Sequence, residues 1–298
     1  MATAQSGIFK GDSNHFTFLE FKLSTTFSAQ EIRNALQVLA KPLKVTEILA
    51  FGKSAWDILS DSSPQHFTNY EDLKGVNGYT MPSTQNDVFF WIHSADESDN
   101  FDRAKQLTSA FTKIGKCVVN QTAFIYHDKR DFMGFVDGTG NPKTDDLRYQ
   151  AAIIPEGEIG EGGSIVFSQR WEHNLPKFEN VPVKEQEGII GRTKVEDVEL
   201  EGEDMPHNSH VSRTDLKVDG EAMKVWRRSA PYVHGNKNGL FFLCFACNTQ
   251  RIQIQLESML GLTEDKVHDR IMEFSTPVTG SYWFAPSEEE LKKVIKTR

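Results

Sequence analysis

His15-Phe16-Thr17-Phe18-Leu19-Glu20-Phe21-Lys22-Leu23 is the first apolar run of the chain, and Ser28-Ala29-Gln30-Glu31-Ile32 follows it. Aromatic and aliphatic side chains crowd the first stretch in the manner of a strand. The second has capping-box spacing, Ser28 to Glu31, ahead of Ile32, Ala35, Leu36 and Leu39 on one helical face. A strand leads into a helix, and the order of the elements that follow decides the fold.

Val45 to Phe51 reads as a second strand, a polar stretch runs from Lys53 to about Asn86, and Asp87 to His93 reads as a third strand. Phe101, Ala104, Leu107, Phe111 and Ile114 recur at helical spacing, Gly115 closes that helix, and Lys116 to Tyr126 returns as a strand. The order βαββαβ predicts a ferredoxin-like unit, an antiparallel sheet with both helices on one face. Its other face needs cover, from a second sheet or a partner chain. Later in the chain Ser164 to Gln169, Met223 to Arg228, Gly239 to Asn248 and Ser281 to Ala285 read as strands, and Ile252, Leu256 and Met259 form a helical stripe. A loop-rich acidic stretch, Glu172 to Asp204, interrupts them. No repeat is visible in the letters, so the duplication rests on element order. The fold class expected is α+β, in two tandem ferredoxin-like halves, residues 1–145 and 146–298.

With 298 residues, 38% of them hydrophobic, the chain can bury a substantial core. A net charge of −9 without basic clusters argues against a nucleic-acid partner. No apolar run approaches the roughly 20 residues that span a bilayer, so no membrane role is expected. Met1 to Lys10 lacks the charged-then-apolar pattern of a leader, which predicts a cytoplasmic protein. The cysteines Cys117, Cys244 and Cys247 are odd in number, and a disulfide framework is not expected. Cys244 and Cys247 spell C-x-x-C, but Asn248 follows where covalent haem attachment needs His. Lying in an apolar strand, where positions three apart face opposite sides, they read as buried thiols.

The least ordinary passage is Asp131-Phe132-Met133-Gly134-Phe135-Val136-Asp137-Gly138-Thr139-Gly140-Asn141-Pro142, where three glycines surround Asp137. Glycine permits positive φ and close backbone approach, so the loop reads as a presented carboxylate or as a tight turn with Asp137 its former. No Lys-Ser or Lys-Thr follows at P-loop spacing, Pro142 precludes the helix that a dinucleotide fingerprint opens, and calcium loops need more carboxylates.

Gly134-Phe135-Val136-Asp137-Gly138 resembles the GxxDG motif of the dye-decolourising peroxidases, a family of haem enzymes, and Thr139-Gly140-Asn141-Pro142 resembles its usual extension. Asn208-Ser209-His210-Val211 resembles the family segment carrying the proximal haem histidine. Val225-Trp226-Arg227-Arg228-Ser229-Ala230-Pro231-Tyr232 resembles the segment carrying the distal arginine. The three landmarks occur in family order over nearly the whole chain, and the resemblance is to the compact, intracellular branch.

The resemblance implies two ferredoxin-like halves of the dimeric α/β-barrel type, with haem b held mainly by the second. His210 is then the axial iron ligand, since a neutral imidazole donates to iron and leaves the opposite position open. Asp137 is the candidate to shuttle the peroxide proton, and Arg227 to hold charge on the departing oxygen. An acidic partner for His210 is expected from Glu273, with Asp269 second. Asn141, in the motif's extension, is expected at the cofactor. Arg213 is a candidate for a haem propionate or a surface residue, and Phe245, with Phe242, for the distal wall or the core. Ser229 departs from the branch, many members of which have Asn there. His207 and His210 spell H-x-x-H, which could also be read as part of a zinc site.

The function implied is reduction of hydrogen peroxide through an oxoferryl intermediate, with one-electron oxidation of small organic electron donors such as phenols, dyes and porphyrinogens. A haem-binding or haem-trafficking protein is the rival reading, and a metal-free thiol oxidoreductase using the C-x-x-C pair a third. A homo-oligomer is expected. The chain ends on a charged helix, Glu288 to Ile295, so it is not expected to be an encapsulated cargo.

Overall fold

The computed structural model describes residues 2–41 and 43–296. The first half runs β1 (His15–Leu23), α1 (Ala29–Leu36), β2 (Thr46–Phe51), α2 (Lys53–Leu59), the small hairpin β3 (Leu73–Lys74) and β4 (Thr80–Met81), β5 (Val88–Ser94), α3 (Glu97–Phe111) and β6 (Gly115–Phe124). Its main strands lie side by side in the order β2-β5-β1-β6, all antiparallel, which is the ferredoxin-like arrangement. The capping box at α1 is complete, with Glu31 N–H donating to Ser28 Oγ and Ser28 N–H to Glu31 Oε2. α2 lies in a stretch that reads only as polar. In α3 the expected stripe holds for Ala104, Leu107 and Phe111, but Phe101 is 63% exposed. Arg103 turns inward and pairs with Glu47 at 2.9 Å.

The second half runs α4 (Asp145–Ala152), β7 (Ser164–His173), α5 (Leu175–Glu179), α6 (Val183–Ile190), α7 (His210–Thr214), the hairpin β8 (Lys217–Val218) and β9 (Glu221–Ala222), β10 (Trp226–Arg227), β11 (Ala230–His234), β12 (Lys237–Ala246), α8 (Gln250–Met259), β13 (Ser275–Pro277), β14 (Ser281–Ala285) and α9 (Glu288–Lys296). The order β14-β7-β12-β10, with β11 also on β12, repeats the fourth-first-third-second pattern of the first half. The stretch expected to be loop between Glu172 and Asp204 contains α5 and α6. The strand expected over Met223 to Arg228 shrinks to two residues and is followed by β11.

The two sheets join edge to edge rather than stacking as separate layers. β14 meets β2 at the register pair Phe284 and Phe51, giving one 10-stranded sheet. At its far ends Gln121 Nε2 on β6 donates to Val233 O on β11 at 3.2 Å, so the sheet curls nearly into a barrel. The two halves therefore cover each other's inner face. Phe18 stacks on Phe241 with centroids 3.9 Å apart, Trp91 meets Phe245 at 5.9 Å, and Phe89 meets Trp283 at 5.3 Å. Each such ring, fully buried, contributes about 1.5–3 kcal/mol. Helices cover the outer face, where Ile32, Leu107 and Phe111 pack with Leu19 and Phe21, and Ile252, Leu256 and Met259 line the second half.

Amide side chains strengthen the seam where backbone pairing is sparse. Gln85 Oε1 accepts from Tyr282 N at 3.0 Å while its Nε2 donates to Tyr282 O at 2.8 Å. Gln5 pairs in the same way with Leu49, at 2.9 and 2.8 Å, and reaches Pro286 O at 3.0 Å. A separate cluster, Met133, Phe135, Phe178, Ile189, Ile190 and Phe274, pins the loop that precedes Asp137 against α5 and α6.

Candidate active site

The hairpin-like loop before Asp137 closes on itself, with Asp131 N–H donating to Phe135 O at 2.8 Å and Asp137 N–H to Lys129 O at 2.9 Å. Gly138 follows at φ +85°, a conformation that strains any L side chain. A Cβ on Gly140 would stand 3.1 Å from Arg227 Nη2, so the loop lies directly against that guanidinium. Arg227 is fixed from the loop side. Asn141 Oδ1 accepts from Arg227 N at 2.9 Å and Asn141 Nδ2 donates to Arg227 O at 3.0 Å, the pairing that a neighbouring strand would supply.

Arg227 lies between three spaces. On one side is an apolar cavity walled by Trp171, Val225, Leu240, Phe242, Cys244, Ile252, Leu256, Met259 and Ile271, with His210 at its edge. Beside it a more polar chamber is bounded by Asp137, Gly140, Arg227 and His210. A surface cleft also reaches Asp137 and Arg227. Burial raises the pKa of Asp137 above the ordinary aspartate value, and the neighbouring positive charge of Arg227 pulls it partly back.

His210 is the first residue of α7, whose cap is Ser209 Oγ accepting from Ser212 N at 3.2 Å. Its Nδ1 lies 2.7 Å from Oδ2 of Asp269, which is fully buried. A carboxylate only accepts, so the imidazole proton sits on Nδ1 and Nε2 carries the free lone pair. Asp269 Oδ1 accepts from Ile271 N at 2.9 Å, which holds the carboxylate in place.

Several expectations are corrected here. The acid on His210 is Asp269 and not Glu273, whose carboxylate faces Arg270 at 3.4 Å and His268 at 3.6 Å. Arg213, expected at a propionate or the surface, is buried behind α7, donating to Asp265 Oδ2 and Thr263 Oγ1 at 2.7 Å each and to Ser258 O at 3.2 Å. Phe245 pairs in register with Trp226 and packs inside the barrel, away from the cavity. The cavity wall takes Leu240, Phe242 and Cys244, which share the other face of β12 as every second residue must. Asn141 holds the backbone of Arg227 and lines the surface cleft, where a contact to the cofactor was expected. Ser229 Oγ accepts from Leu243 N at 3.3 Å.

Two cavity residues escape a reading of the sequence. His173 bridges Ser275 Oγ at 2.7 Å and Asp131 Oδ2 at 2.9 Å, tying the Asp137 loop to β7. Gln169 is fully buried and lines the apolar cavity, and neither its Oε1 nor its Nε2 has a hydrogen-bond partner in the protein. The only signal in the letters is that Gln169, Trp171 and His173 alternate along one strand and share a face. Cys244 lines the cavity too, but burial pushes its thiol up to about 12, and Cys247 is raised as well. Thiolate chemistry is disfavoured at both.

Comparison with known proteins agrees with this arrangement. Residues 5–124 match the model for Dyp-type peroxidase, N-terminal, and residues 128–290 that for Dyp-type peroxidase, C-terminal. A dye-decolorizing peroxidase from Mycolicibacterium paratuberculosis is 30% identical over 253 residues, covering 83% of this chain and 71% of its own length. That of Rhodococcus erythropolis is 29% identical over 248 residues, covering 82% and 72%. Among solved structures, the dye-decolorizing protein from V. cholerae superposes with a TM-score of 0.88 at 31% identity over 97% of this chain and 99% of its own. A variant of DypB from Rhodococcus jostii RHA1 in complex with heme gives 0.88 at 28% identity over 97% and 98%. With both family models matched in order across most of its length, this chain belongs to the Dyp-type, or dye-decolorizing, peroxidase family.

Proposed function

We propose that the chain is a haem b peroxidase that reduces hydrogen peroxide and oxidises organic donors by one-electron steps, one peroxide and two donor molecules giving two waters and two donor radicals. The observation that carries this reading is that the Asp269-backed imidazole of His210 and the guanidinium of Arg227 line both the apolar cavity and the polar chamber beside it, where Asp137 joins them. The residues present suit haem. Apolar walls, one free imidazole nitrogen and a buried amide without a partner fit a flat apolar macrocycle with polar substituents. An orphaned amide in an apolar cavity costs about 1–3 kcal/mol unless a ligand satisfies it.

In this reading His210 Nε2 would hold the iron, Leu240, Phe242, Leu256 and Met259 would pack on the macrocycle, and Gln169 would meet its polar edge. Haem supplies the iron that takes up the oxidising equivalents of peroxide and passes them to donors. The hydrogen bond to Asp269 makes His210 a stronger donor and fixes its ring. Asp137, when ionised, accepts a proton from one peroxide oxygen and returns it to the other as that oxygen departs. Arg227 cannot deprotonate and stabilises the negative charge on the departing oxygen. A haem carrier needs His210 and the cavity but has no use for an acid-base pair beside them, which favours the enzyme. Phenols, dyes and porphyrinogens are the donors proposed. A cytoplasmic, homo-oligomeric protein completes the reading. No helix among the described residues is long and apolar enough to cross a membrane.

The test is rapid mixing of haem-reconstituted protein with peroxide. The wild type should change its haem spectrum rapidly, Asp137→Asn should bind haem but react far more slowly, and Arg227→Leu should lose on the order of 100-fold. Because burial raises the pKa of Asp137 and Arg227 lowers it, the rate should fall with decreasing pH at a pH above that of an ordinary aspartate, and Arg227→Leu should move that fall to still higher pH. His210→Ala should lose the native haem spectrum. Equally rapid reaction in wild type and Asp137→Asn would move the acid-base role to Arg227 or water, whereas a haem spectrum that only bleaches, equally in both, would return the haem-carrier reading.

A further inference from the structure

The loop that presents Asp137 is folded back on itself by a second carboxylate, Asp131. Besides its own N–H on Phe135 O, Asp131 accepts from Gly134 N at its carbonyl, 2.9 Å away, and from Met133 N at Oδ1, 2.8 Å away. Arg130 and Val136 pair across this turn, which sets Asp137 opposite Lys129. Met133 and Phe135 fasten one side of the turn by apolar packing, and Arg130 fastens another by donating to Lys194 O and to Val195 O. Oδ2 of Asp131 is left for the side that faces the cavity.

That oxygen lies 2.9 Å from His173 Nε2, in a pair whose side chains are only 4% (His173) and 14% (Asp131) exposed. His173 ends β7, and its register partner on β13 is Ser275, whose Oγ lies 2.7 Å from His173 Nδ1. Both residues line the apolar cavity. A carboxylate only accepts, so Nε2 carries a proton, while a hydroxyl can donate to Nδ1 or accept from it. The ring is therefore held at both ends between two paired strands and a loop that no strand supports. Asp131 also acts through its charge. Burial is the main cause that raises the pKa of Asp137, Arg227 opposes it, the like charge of Asp131 adds to it, and His210 lowers it slightly. Lys129, Arg130, Lys143, Arg148 and Arg228 share the surface cleft with Asp137.

We propose that His173 and Asp131 are positioning residues of the peroxidase: their hydrogen bond clamps the Asp137 loop to β7 at the cavity wall, and the Asp131 carboxylate supplies a negative charge that governs when Asp137 is ionised. The clamp follows from the geometry alone, whereas its consequence for the reaction rests on the reading in the preceding section. An acid that must take a proton from one oxygen and return it to the next works only within hydrogen-bond reach of both, so a loop that drifts loses rate without losing haem.

The experiment compares the haem-loaded full chain with its His173→Ala, His173→Gln and Asp131→Asn variants, each mixed rapidly with hydrogen peroxide across acid and neutral pH. His173→Ala should slow the change in haem spectrum about 10- to 100-fold, since Asp137 is no longer held in place. His173→Gln keeps a donor for Asp131 Oδ2 and should recover most of that rate. Asp131→Asn can still accept from Met133 N–H and donate to the ring, so it should keep the loop in place, yet the fall of the rate with decreasing pH should move to lower pH than in wild type. Amide exchange over residues 131–137, followed without peroxide, should accelerate in His173→Ala and match wild type in the other two. If His173→Ala loses its haem, Ser275→Ala, which frees the ring at Nδ1, takes its place and should show the same losses in smaller measure. A wild-type rate in His173→Ala, or a loss that His173→Gln does not recover, would overturn the clamp, and an unmoved pH profile in Asp131→Asn would overturn the role of the charge. If wild type itself leaves peroxide unreacted, the peroxidase reading fails, while faster exchange in His173→Ala would keep the clamp standing and equal exchange would remove it.

Discussion

At the scale of single residues, the site depends on buried carboxylates whose neighbours differ. Asp269 lies fully buried behind His210, with one oxygen on the imidazole and the other on the N–H of Ile271. Glu273 lies on the same short 3₁₀ turn, Arg270–Glu273, yet faces cations at the surface. Asp269→Asn keeps a side chain able to cap that turn but weakens the acceptor for Nδ1–H, so haem affinity should drop about 10- to 100-fold. Glu273→Gln should leave it near the wild-type value. Competition with apomyoglobin measures both, and the reverse order would reinstate Glu273. Sequence could not separate the two acids, since both fall in one segment and only the turn decides which points inward. Asp137, Arg227 and His210 are more legible, because each lies in a distinctive string of neighbours. Gln169 and His173 are not, since a strand side chain facing a cavity has the same local pattern as one facing a core.

At the scale of elements, β1 carries a carboxyl into the barrel. Glu20 is 1% exposed, accepts from Asn86 Nδ2 at 2.8 Å and from Ser168 Oγ on β7 at 3.0 Å, and feels the charge of Arg170. Burial outweighs these contacts and pushes its pKa from 4.5 to about 7. Between those values the native state holds a proton that the unfolded chain has released, so this group's contribution to stability falls as pH rises, by about 1.4 kcal/mol per unit. Glu20→Gln removes that slope. The stability of the variant relative to wild type, from urea unfolding, should rise by roughly 3 kcal/mol between pH 4.5 and 7 and then level off. A constant difference would show that Glu20 titrates normally. Strands such as β1 are easily read from aromatic density. α2, α5 and α6 are less so, since short helices between polar loops carry too few turns for a periodic stripe. The buried Glu20 of β1 gives no hint of its partners, which come from Asn86, just before β5, and from β7 more than a hundred residues away.

At the scale of the whole molecule, each half satisfies its outer face with its own helices and its inner face with the other half. The repeated βαββαβ order, and the need for something to cover the bare sheet face, are visible in the sequence. Joining edge to edge is not, because it depends on the curvature of the assembled sheet. That mode of joining leaves two narrow seams. β14 meets β2 at one register pair, and β6 reaches β11 through the side chain of Gln121. Strands β1, β5, β7 and β12 have hydrogen-bonded neighbours on both sides, whereas the seam strands depend on Gln5 and Gln85 in place of a full ladder. Amide hydrogen exchange should therefore be slowest along β1, β5, β7 and β12 and markedly faster at Leu49 and Tyr282 once Gln5→Ala and Gln85→Ala are introduced together. Uniform acceleration across all the strands would instead mean that the barrel opens only as one unit. The barrel is then best regarded as two clasped shells, able to part along their rims while each remains folded, with the interior reached by solvent through the clasp before either shell unravels.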